Sequence, residues 1–193
     1  LTTGSGNSSK IDNAIAILRS RTFIQDFLVT ENIMPILFSD DWSEEKNNWK
    51  DQTGPTIFKG YEKFERLMDI SKDPKTGIME VSISWSDPKL ASKWANEIVD
   101  RLDIHLRNSS VQESERSILF LEQQLAKTKL VAAESMIYSL IENETRNIMY
   151  ANTRENYLFK IIDKAIPAEK RTSPVRRQIV VLGTILGFIL SLF

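Results

Sequence analysis

The sequence predicts an α+β fold, in which a small α/β base contains an antiparallel hairpin, long helices protrude from the base, and a C-terminal transmembrane helix follows. Three observations predict this arrangement. Period-two alternation of apolar residues follows a turn with Pro and Gly at residues 73–77. No Gly or Pro interrupts the chain between Pro88 and Pro167, which favours long helices. An uncharged apolar run occupies residues 179–193.

The composition restricts the classes of function that are open to the chain. Of its 193 residues, 41 % are hydrophobic, so a packed core is expected. The chain carries 25 basic and 26 acidic residues and has a net charge of −1. It therefore lacks the basic excess of proteins that bind nucleic acid, and no nucleic-acid partner is expected. There is no cysteine and one histidine, His105, so no metal site or other cofactor is expected.

The sequence contains no motif of a known catalytic class. A Walker-type phosphate-binding loop, a GxSxG nucleophile elbow and a GxGxxG dinucleotide fingerprint are all missing. Adjacent acids at residues 40–41 and 44–45 lie in a polar stretch, as solvated surface carboxylates usually do. His105 is interpreted as structural or exposed. We therefore expect that the protein is not an enzyme.

The first third of the chain predicts two helices separated by a loop. A capping box at Ser9 and Asp12 begins a helix that runs to about Thr30, with apolar residues at helical spacing. A polar loop is predicted over residues 39–55. A short helix is predicted over residues 57–66.

The base is predicted to contain one β-hairpin. Apolar side chains alternate with polar ones from Met79 to Trp85, which is typical of a half-buried strand. Its expected partner is residues 67–71, across the turn at residues 73–77. The first helix is expected to pack on this hairpin. Trp85 and Trp94 are expected in the core, because both fall on apolar faces. The alternative is that these two and the loop tryptophans form a platform for stacking sugars.

Long helices are predicted after the hairpin. Asp87 is a predicted N-cap followed by proline. A second capping box at Ser110 and Glu113 predicts that one helix ends near Asn108 and that another runs over residues 111–153. A helix of that length either projects from the base or folds back into a hairpin.

The end of the chain is predicted to return to the base and then enter a membrane. A short strand over residues 157–162 is expected to join the sheet. The predicted domain covers residues 1–166. Its base is residues 1–87 and 156–166, and its helical protrusion is residues 88–155. A basic, Pro-containing juxtamembrane link covers residues 167–178, and a transmembrane helix begins at residue 179.

The apolar run at residues 179–193 is shorter than the roughly 20 residues of a full span, so we expect a truncated transmembrane helix; a buried core helix is the alternative. Gly183 and Gly187 form a GxxxG pair, which allows close packing of membrane helices. The charges on one flank leave the orientation open. The predicted juxtamembrane site residues are Pro167, Lys170, Arg171, Pro174, Arg176 and Arg177. Because Leu1 is not an initiator Met, we expect that the chain is a fragment.

Several blocks of the sequence resemble one family in collinear order. They are residues 14–27 (AIAILRSRTFIQDF), 33–38 (IMPILF), 87–102 (DPKLASKWANEIVDRL), 117–125 and 161–187. These blocks are similar to the chain-length-determinant (Wzz-type) family of polysaccharide co-polymerases. The resemblance covers nearly the whole chain, so it is more specific than any single block.

The resemblance implies a periplasmic domain between two helices of the bacterial inner membrane. It implies a ring-forming homo-oligomer that governs how far a partner polymerase extends the O-antigen or a related lipopolysaccharide glycan. It also implies that the basic link lies on the periplasmic side, near lipid phosphates or the pyrophosphate of a lipid-linked glycan. The chain departs from the family in lacking the first membrane helix and the opening strand, and it keeps only two prolines in the link.

Two other functions agree with the same pattern. One is a periplasmic ligand-sensing domain of a membrane receptor, since long helices between membrane segments also occur there. The other is the membrane adaptor of a capsule-export tyrosine-kinase system.

Overall fold

The computed structural model describes residues 5–51, 53–157 and 159–169, and they form a mixed α+β fold with two small antiparallel sheets, in agreement with the predicted class. The helices are α1 (Ser5–Leu18), α2 (Arg21–Thr30), α3 (Met34–Leu37), α4 (Ile57–Leu67), α5 (Pro88–Leu125) and α6 (Val131–Thr153). The strands are β1 (Trp42–Ser43), β2 (Asn48–Trp49), β3 (Met68–Lys72) and β4 (Met79–Ile83).

The first predicted helix is two helices, so the expectation of one helix from Ser9 to Thr30 is wrong. Helix α1 begins before Ser9, which therefore lies inside the helix and does not cap it. The chain leaves helical geometry at Ser20, whose hydroxyl accepts a hydrogen bond from the backbone N–H of Phe23 at 3.3 Å. This N-cap satisfies a donor at the start of α2 and allows the chain to change direction between two apolar segments.

Helices α1, α2, α4 and the first half of α5 enclose the core. An aromatic chain runs through it, with ring centroids of Phe27 and Phe64 5.6 Å apart and those of Phe64 and Trp94 6.2 Å apart. The rings of Trp85 and Trp94 are 5.5 Å apart, and Trp94 is buried, which confirms the expected place of both residues. The buried cluster is Ala14, Leu18, Phe23, Ile24, Phe27, Leu28, Ile33, Leu37, Phe64, Ile70, Trp94, Ile98, Leu102 and Leu106.

The predicted hairpin is confirmed in antiparallel register, with Met68 opposite Ile83 and Lys72 opposite Met79. Its turn is held by the carboxylate of Asp73 and by Gly77, whose φ is 68°. Helix α1 packs beside it as expected. The Lys72 ammonium lies 2.6 Å from the carboxylate of Asp12. The guanidinium of Arg19, which directly follows α1, donates to the carbonyl of Ile70 at 3.2 Å.

The long helices form a hairpin. Helix α5 is continuous, so the predicted break between Asn108 and Val111 is wrong. Ser110 lies inside α5, where its hydroxyl accepts a hydrogen bond from the Tyr157 hydroxyl at 2.7 Å and does not cap a helix. Residues 126–130 then reverse the chain, and α6 packs back along α5. Of the two predicted alternatives, the structure therefore has the folded-back one.

The return segment is not a strand. The described residues between 157 and 162 are in extended or bent conformation and pair with neither sheet, so the predicted strand is wrong. Tyr157 and Phe159 nevertheless pack against the core cluster. The segment returns to the base, but its backbone is hydrogen-bonded by side chains of α5 and not by a strand.

Replacing Phe27 with Ala is expected to lower the free energy of unfolding by about 3–5 kcal/mol, because the ring is fully buried and its loss leaves a cavity. Urea denaturation followed by tryptophan fluorescence measures this loss, since Trp94 lies in the same core. The matched control is Phe58→Ala, at a ring that is 46 % exposed, with an expected loss of about 1 kcal/mol or less. Equal losses in the two variants would contradict this placement of the core.

The turn carboxylate Asp73 predicts a pH dependence. The backbone N–H groups of Lys75 and Thr76 donate to it and lower the pKa of Asp73 below its ordinary value of 3.8. A lowered folded-state pKa stabilises the fold above the unfolded pKa, and this stability is lost as the pH falls through the folded value. The variant Asp73→Ala is therefore expected to be less stable than the parent at neutral pH, with a difference that shrinks on acidification. Denaturation curves at several pH values, giving a constant difference, would refute this.

Candidate interaction surface

The helical hairpin has one apolar seam. On α6, half-buried residues recur at intervals of three and four, with Ile137, Ile141 and Ile148 among them. On α5, Ile118 and Leu121 are half-buried at the matching side. This spacing is that of two helices packed as in a coiled coil. The seam holds α6 to α5 but covers one side of each helix only.

A polar pair lies within the seam. Ser114 is 4 % exposed, and its hydroxyl donates a hydrogen bond to the carboxylate of Glu144 at 2.7 Å. The amide of Asn147 donates to the same carboxylate oxygen at 3.3 Å. If α6 shifted along α5, the buried hydroxyl of Ser114 would lose its hydrogen bond to Glu144. This pair therefore fixes the register of α6 against α5.

The two flanks of α6 are apolar and exposed. At 100° per residue, Met136 and Leu140 lie on one flank of the seam, where they are 68 % and 44 % exposed. Tyr138 and Met149 lie on the other flank and are similarly exposed. Side chains of this size normally find a partner when they are grouped. We refer to these two groups as the hairpin flanks.

The side of α6 between the flanks is polar. Ser135, Ser139, Glu142 and Arg146 occupy it, and the last two form an ion pair at 2.8 Å. The helix therefore carries three kinds of surface: the seam, two apolar flanks, and a solvated back. Such a pattern suits contact with neighbours on two sides.

The tip of the hairpin also exposes apolar residues. Leu119 and Phe120 near the end of α5 are 59 % and 60 % exposed, and Leu130 and Val131 across the turn are more so. Among the described helices, α6 packs along this part of the chain, through the seam. The apolar surface of the hairpin thus extends from the flanks to the tip.

A polar stripe on α5 binds the return segment. Asn96 exchanges two hydrogen bonds with Ala165, since its amide donates to the carbonyl at 3.0 Å and its oxygen accepts from the N–H at 2.9 Å. About two helical turns further along, the Asp103 carboxylate accepts from the N–H of Tyr157 at 2.8 Å. Each of these side chains supplies a bond that a neighbouring strand would otherwise supply.

The same stripe fixes the end of α6. The guanidinium of Arg107 donates to the carbonyls of Arg154 and Glu155 at 3.0 and 2.8 Å, and it pairs with Asp103 at 3.0 Å. The charge on Arg107 is attractive to carbonyls at a helix C-terminus. The end of α6 and the segment after it are therefore both held by α5. We refer to Asn96, Asp103, Arg107 and Ser110 as the polar stripe.

The structure describes one of the predicted juxtamembrane residues. Pro167 is exposed and follows Ala165, the last residue held by the polar stripe. The remaining predicted site residues lie outside the described residues: Lys170, Arg171, Pro174, Arg176, Arg177, Gly183 and Gly187. The predicted transmembrane helix at residues 179–193 lies outside them as well. Among the helices that the structure describes, none is long and apolar enough to cross a bilayer.

The described residues offer no cluster for metal chemistry. Within them, no three His, Cys, Asp or Glu side chains lie close enough together to hold a metal ion. His105 is exposed, and its ring meets that of Phe23 edge-on at 5.7 Å between centroids. That contact suits a packing role for the histidine.

No protein-family model matches the chain, and no curated protein is significantly similar to it.

Sequence reasoning missed the polar stripe. Its members are spaced by seven, four and three residues, which places them within about 60° on one side of α5. A run of Asn, Asp, Arg and Ser at that spacing, beside the apolar face of the same helix, is the signal that could have revealed it. Ser110 was instead interpreted as a helix cap.

Replacing Asn96 with Ala is expected to speed hydrogen exchange at the Ala165 amide by about tenfold. The change removes both bonds to that residue, and one hydrogen bond contributes about 0.5–1.5 kcal/mol. Amide exchange followed by NMR measures the effect. Asn108→Ala, at an exposed asparagine of the same helix, is the control and should leave the Ala165 amide as protected as in the parent. Unchanged protection in the Asn96 variant would show that the stripe does not hold the segment.

Proposed function

We propose that the protein regulates the chain length of a surface polysaccharide, the O-antigen or a related lipopolysaccharide glycan, as an oligomeric scaffold for a polymerase. It acts from the periplasmic side of the bacterial inner membrane, where a helix that includes Gly183 and Gly187 anchors it. It has no catalytic role of its own. The observation that carries this proposal is the helical hairpin with its two apolar flanks.

The flanks support an assembly of copies side by side. A contact that uses two different surfaces of one subunit is heterologous, and it closes into a ring when the rotation between subunits allows it. The flank with Met136 and Leu140 and the flank with Tyr138 and Met149 are two such surfaces on one helix. The polar side between them remains solvated in such a ring, which agrees with its Glu142–Arg146 ion pair.

The polar stripe supports a hairpin that projects away from the membrane. Asn96 holds Ala165 close to the start of α5, and the link that is predicted to enter the membrane begins at Pro167. The turn at residues 126–130 lies about 30 residues further along α5, or roughly 45 Å at 1.5 Å per residue. If residues 179–193 are the anchor, the hairpin points away from the membrane. A growing glycan could then contact a wall of helices that rises from the membrane surface.

The resemblance to the Wzz-type family in five collinear blocks gives this scaffold its biological setting. It supplies the polymerase as partner and the lipid-linked glycan as the molecule near the basic link.

Replacing Met136 and Leu140 together with Glu is expected to abolish the modal length of the surface glycan and to dissociate the oligomer. Two charges on one flank would have to be buried without partners in the contact with the next subunit. A gel ladder of the glycan from a deletion strain that carries the variant, with light scattering of the purified full chain in detergent, measures both effects. The fold should persist, since both side chains are largely exposed.

The control is the pair Ser135→Glu and Ser139→Glu, which adds the same two charges at the same spacing on the polar side of α6. It should keep both the modal length and the oligomer. A wild-type ladder and a wild-type oligomer from the Met136 and Leu140 variant would refute the role of this flank.

A further inference from the structure

A small cavity lies in the base, away from the hairpin. Its volume is about 200 Å³, and it lies between the loop that follows α3 and the start of α4. Its lining includes Phe38, Asp41, Asp51, Gly54, Pro55 and Lys59. Sites for drug-sized ligands are usually about 300–1,000 Å³, so a ligand here would be a single small ring. We refer to this cavity as the loop pocket.

The loop around the pocket is held in one conformation. Trp42 and Trp49 face each other across β1 and β2 with ring centroids 4.8 Å apart. The backbone N–H of Lys50 donates to the carbonyl of Asp41 at 2.9 Å, and its ammonium donates to the carbonyl of Asp40 at 2.7 Å. These contacts join residues 40–42 to residues 49–50, on the two sides of the loop.

Gly54 brings the pocket wall against an indole ring. Its φ is +61°, and a Cβ at this position would lie 2.5 Å from Cγ of Trp49. Only a residue without a side chain allows the backbone to lie this close to the ring. The indole ring of Trp49 therefore packs directly against the backbone of Gly54 in the pocket wall.

The side chains of the pocket combine hydrogen-bonding and apolar groups. Asp41, Asp51 and Lys59 are exposed residues, and among the described residues their charged groups have neither a hydrogen-bond nor an ion-pair partner. Carboxylates accept hydrogen bonds from hydroxyl groups, and an ammonium donates to hydroxyl oxygens. Phe38 and Pro55 add apolar surface beside them.

This combination selects among small ligands. Two carboxylates repel a phosphate or another anion, and the ammonium of Lys59 opposes a divalent cation. A purely apolar ring would leave three charged groups desolvated without partners. A neutral ring that carries several hydroxyl groups and has apolar C–H faces satisfies both kinds of surface. That description fits a single sugar residue.

We propose that the loop pocket binds one sugar residue of the glycan, through hydroxyl groups that donate to Asp41 and Asp51. The identity of the sugar as part of that glycan rests on the proposed function, whereas sugar binding itself rests on the pocket. A site for one sugar would let each subunit hold the growing chain weakly and release it again. In a ring, the same weak site would recur once in every subunit.

Saturation-transfer NMR with glucose, galactose and N-acetylglucosamine, applied to the full chain in detergent, tests the site. We expect at least one of these sugars to bind with a millimolar dissociation constant. The double variant Asp41→Ala and Asp51→Ala should weaken that binding about tenfold or more. The matched control is Glu44→Ala with Glu45→Ala, which removes two carboxylates from the same loop outside the pocket. All four carboxylates belong to exposed residues, so both variants should fold.

The outcomes separate the pocket from the proposed function. Binding that the Asp41 and Asp51 variant loses and the control keeps supports the pocket, whatever the glycan ladder shows. Absence of binding by the parent chain to all three sugars overturns the pocket, as does equal binding by the two double variants. A deletion strain with an unchanged glycan ladder overturns the proposed function and leaves a sugar-binding pocket standing. A shifted ladder in the Asp41 and Asp51 variant alone supports both.

Discussion

Helix α5 belongs both to the core of the base and to the helical hairpin, and the rest of the structure depends on this shared helix. Its first half buries Trp94, Ile98, Leu102 and Leu106 in the core, so the base cannot form without it. Its second half leaves the base, and there α6 is the helix that packs on it. Because one continuous helix of 38 residues belongs to both parts, the direction of the hairpin is set by the packing of the core. Because the helix is unbroken over about 57 Å, its axis continues from the base into the hairpin.

The polar stripe completes this arrangement. A segment that returns from a helical hairpin to its base needs hydrogen-bond partners for its backbone groups, because a buried backbone group without a partner costs free energy. A further β-strand would solve this, but in the described part of the chain β3 and β4 pair with each other and the returning segment joins neither. Asn96 and Asp103 supply the partners instead, because a side-chain amide or carboxylate can present the same acceptor as a peptide group. The chain is thereby led to Pro167 beside the start of α5.

The sequence predicted those parts of the fold that depend on local patterns. The hairpin, the N-cap of α5, the short helix α4 and the burial of Trp94 all follow from residues that are close together in the chain. One error was local, since the cap at Ser20 that divides the first predicted helix was overlooked. Two others arose where a residue has a distant partner. Ser110 resembled a helix cap, but its hydroxyl meets a tyrosine 47 residues further along. Residues 157–162 resembled a strand because apolar residues that pack on a core give similar patterns in a strand and in an extended strap. The loop pocket could not be predicted, since Gly54 and the indole behind it meet only through the turn geometry.

The hairpin by itself is a structure of limited stability, and this bears on how a scaffold of this kind would work. Two helices that share a single seam leave most of their surface in water, and isolated helices are marginal without tertiary packing. The seam contains the polar pair Ser114–Glu144, which specifies register but contributes less free energy than an apolar pair would. Order at the tip therefore depends on α5 at one end and on any neighbour that covers the flanks. Assembly through the flanks would both join the subunits and stiffen the surface that they present. In the proposed scaffold, the wall of helices would become rigid only on assembly, and the length over which it acts would then be a property of the oligomer.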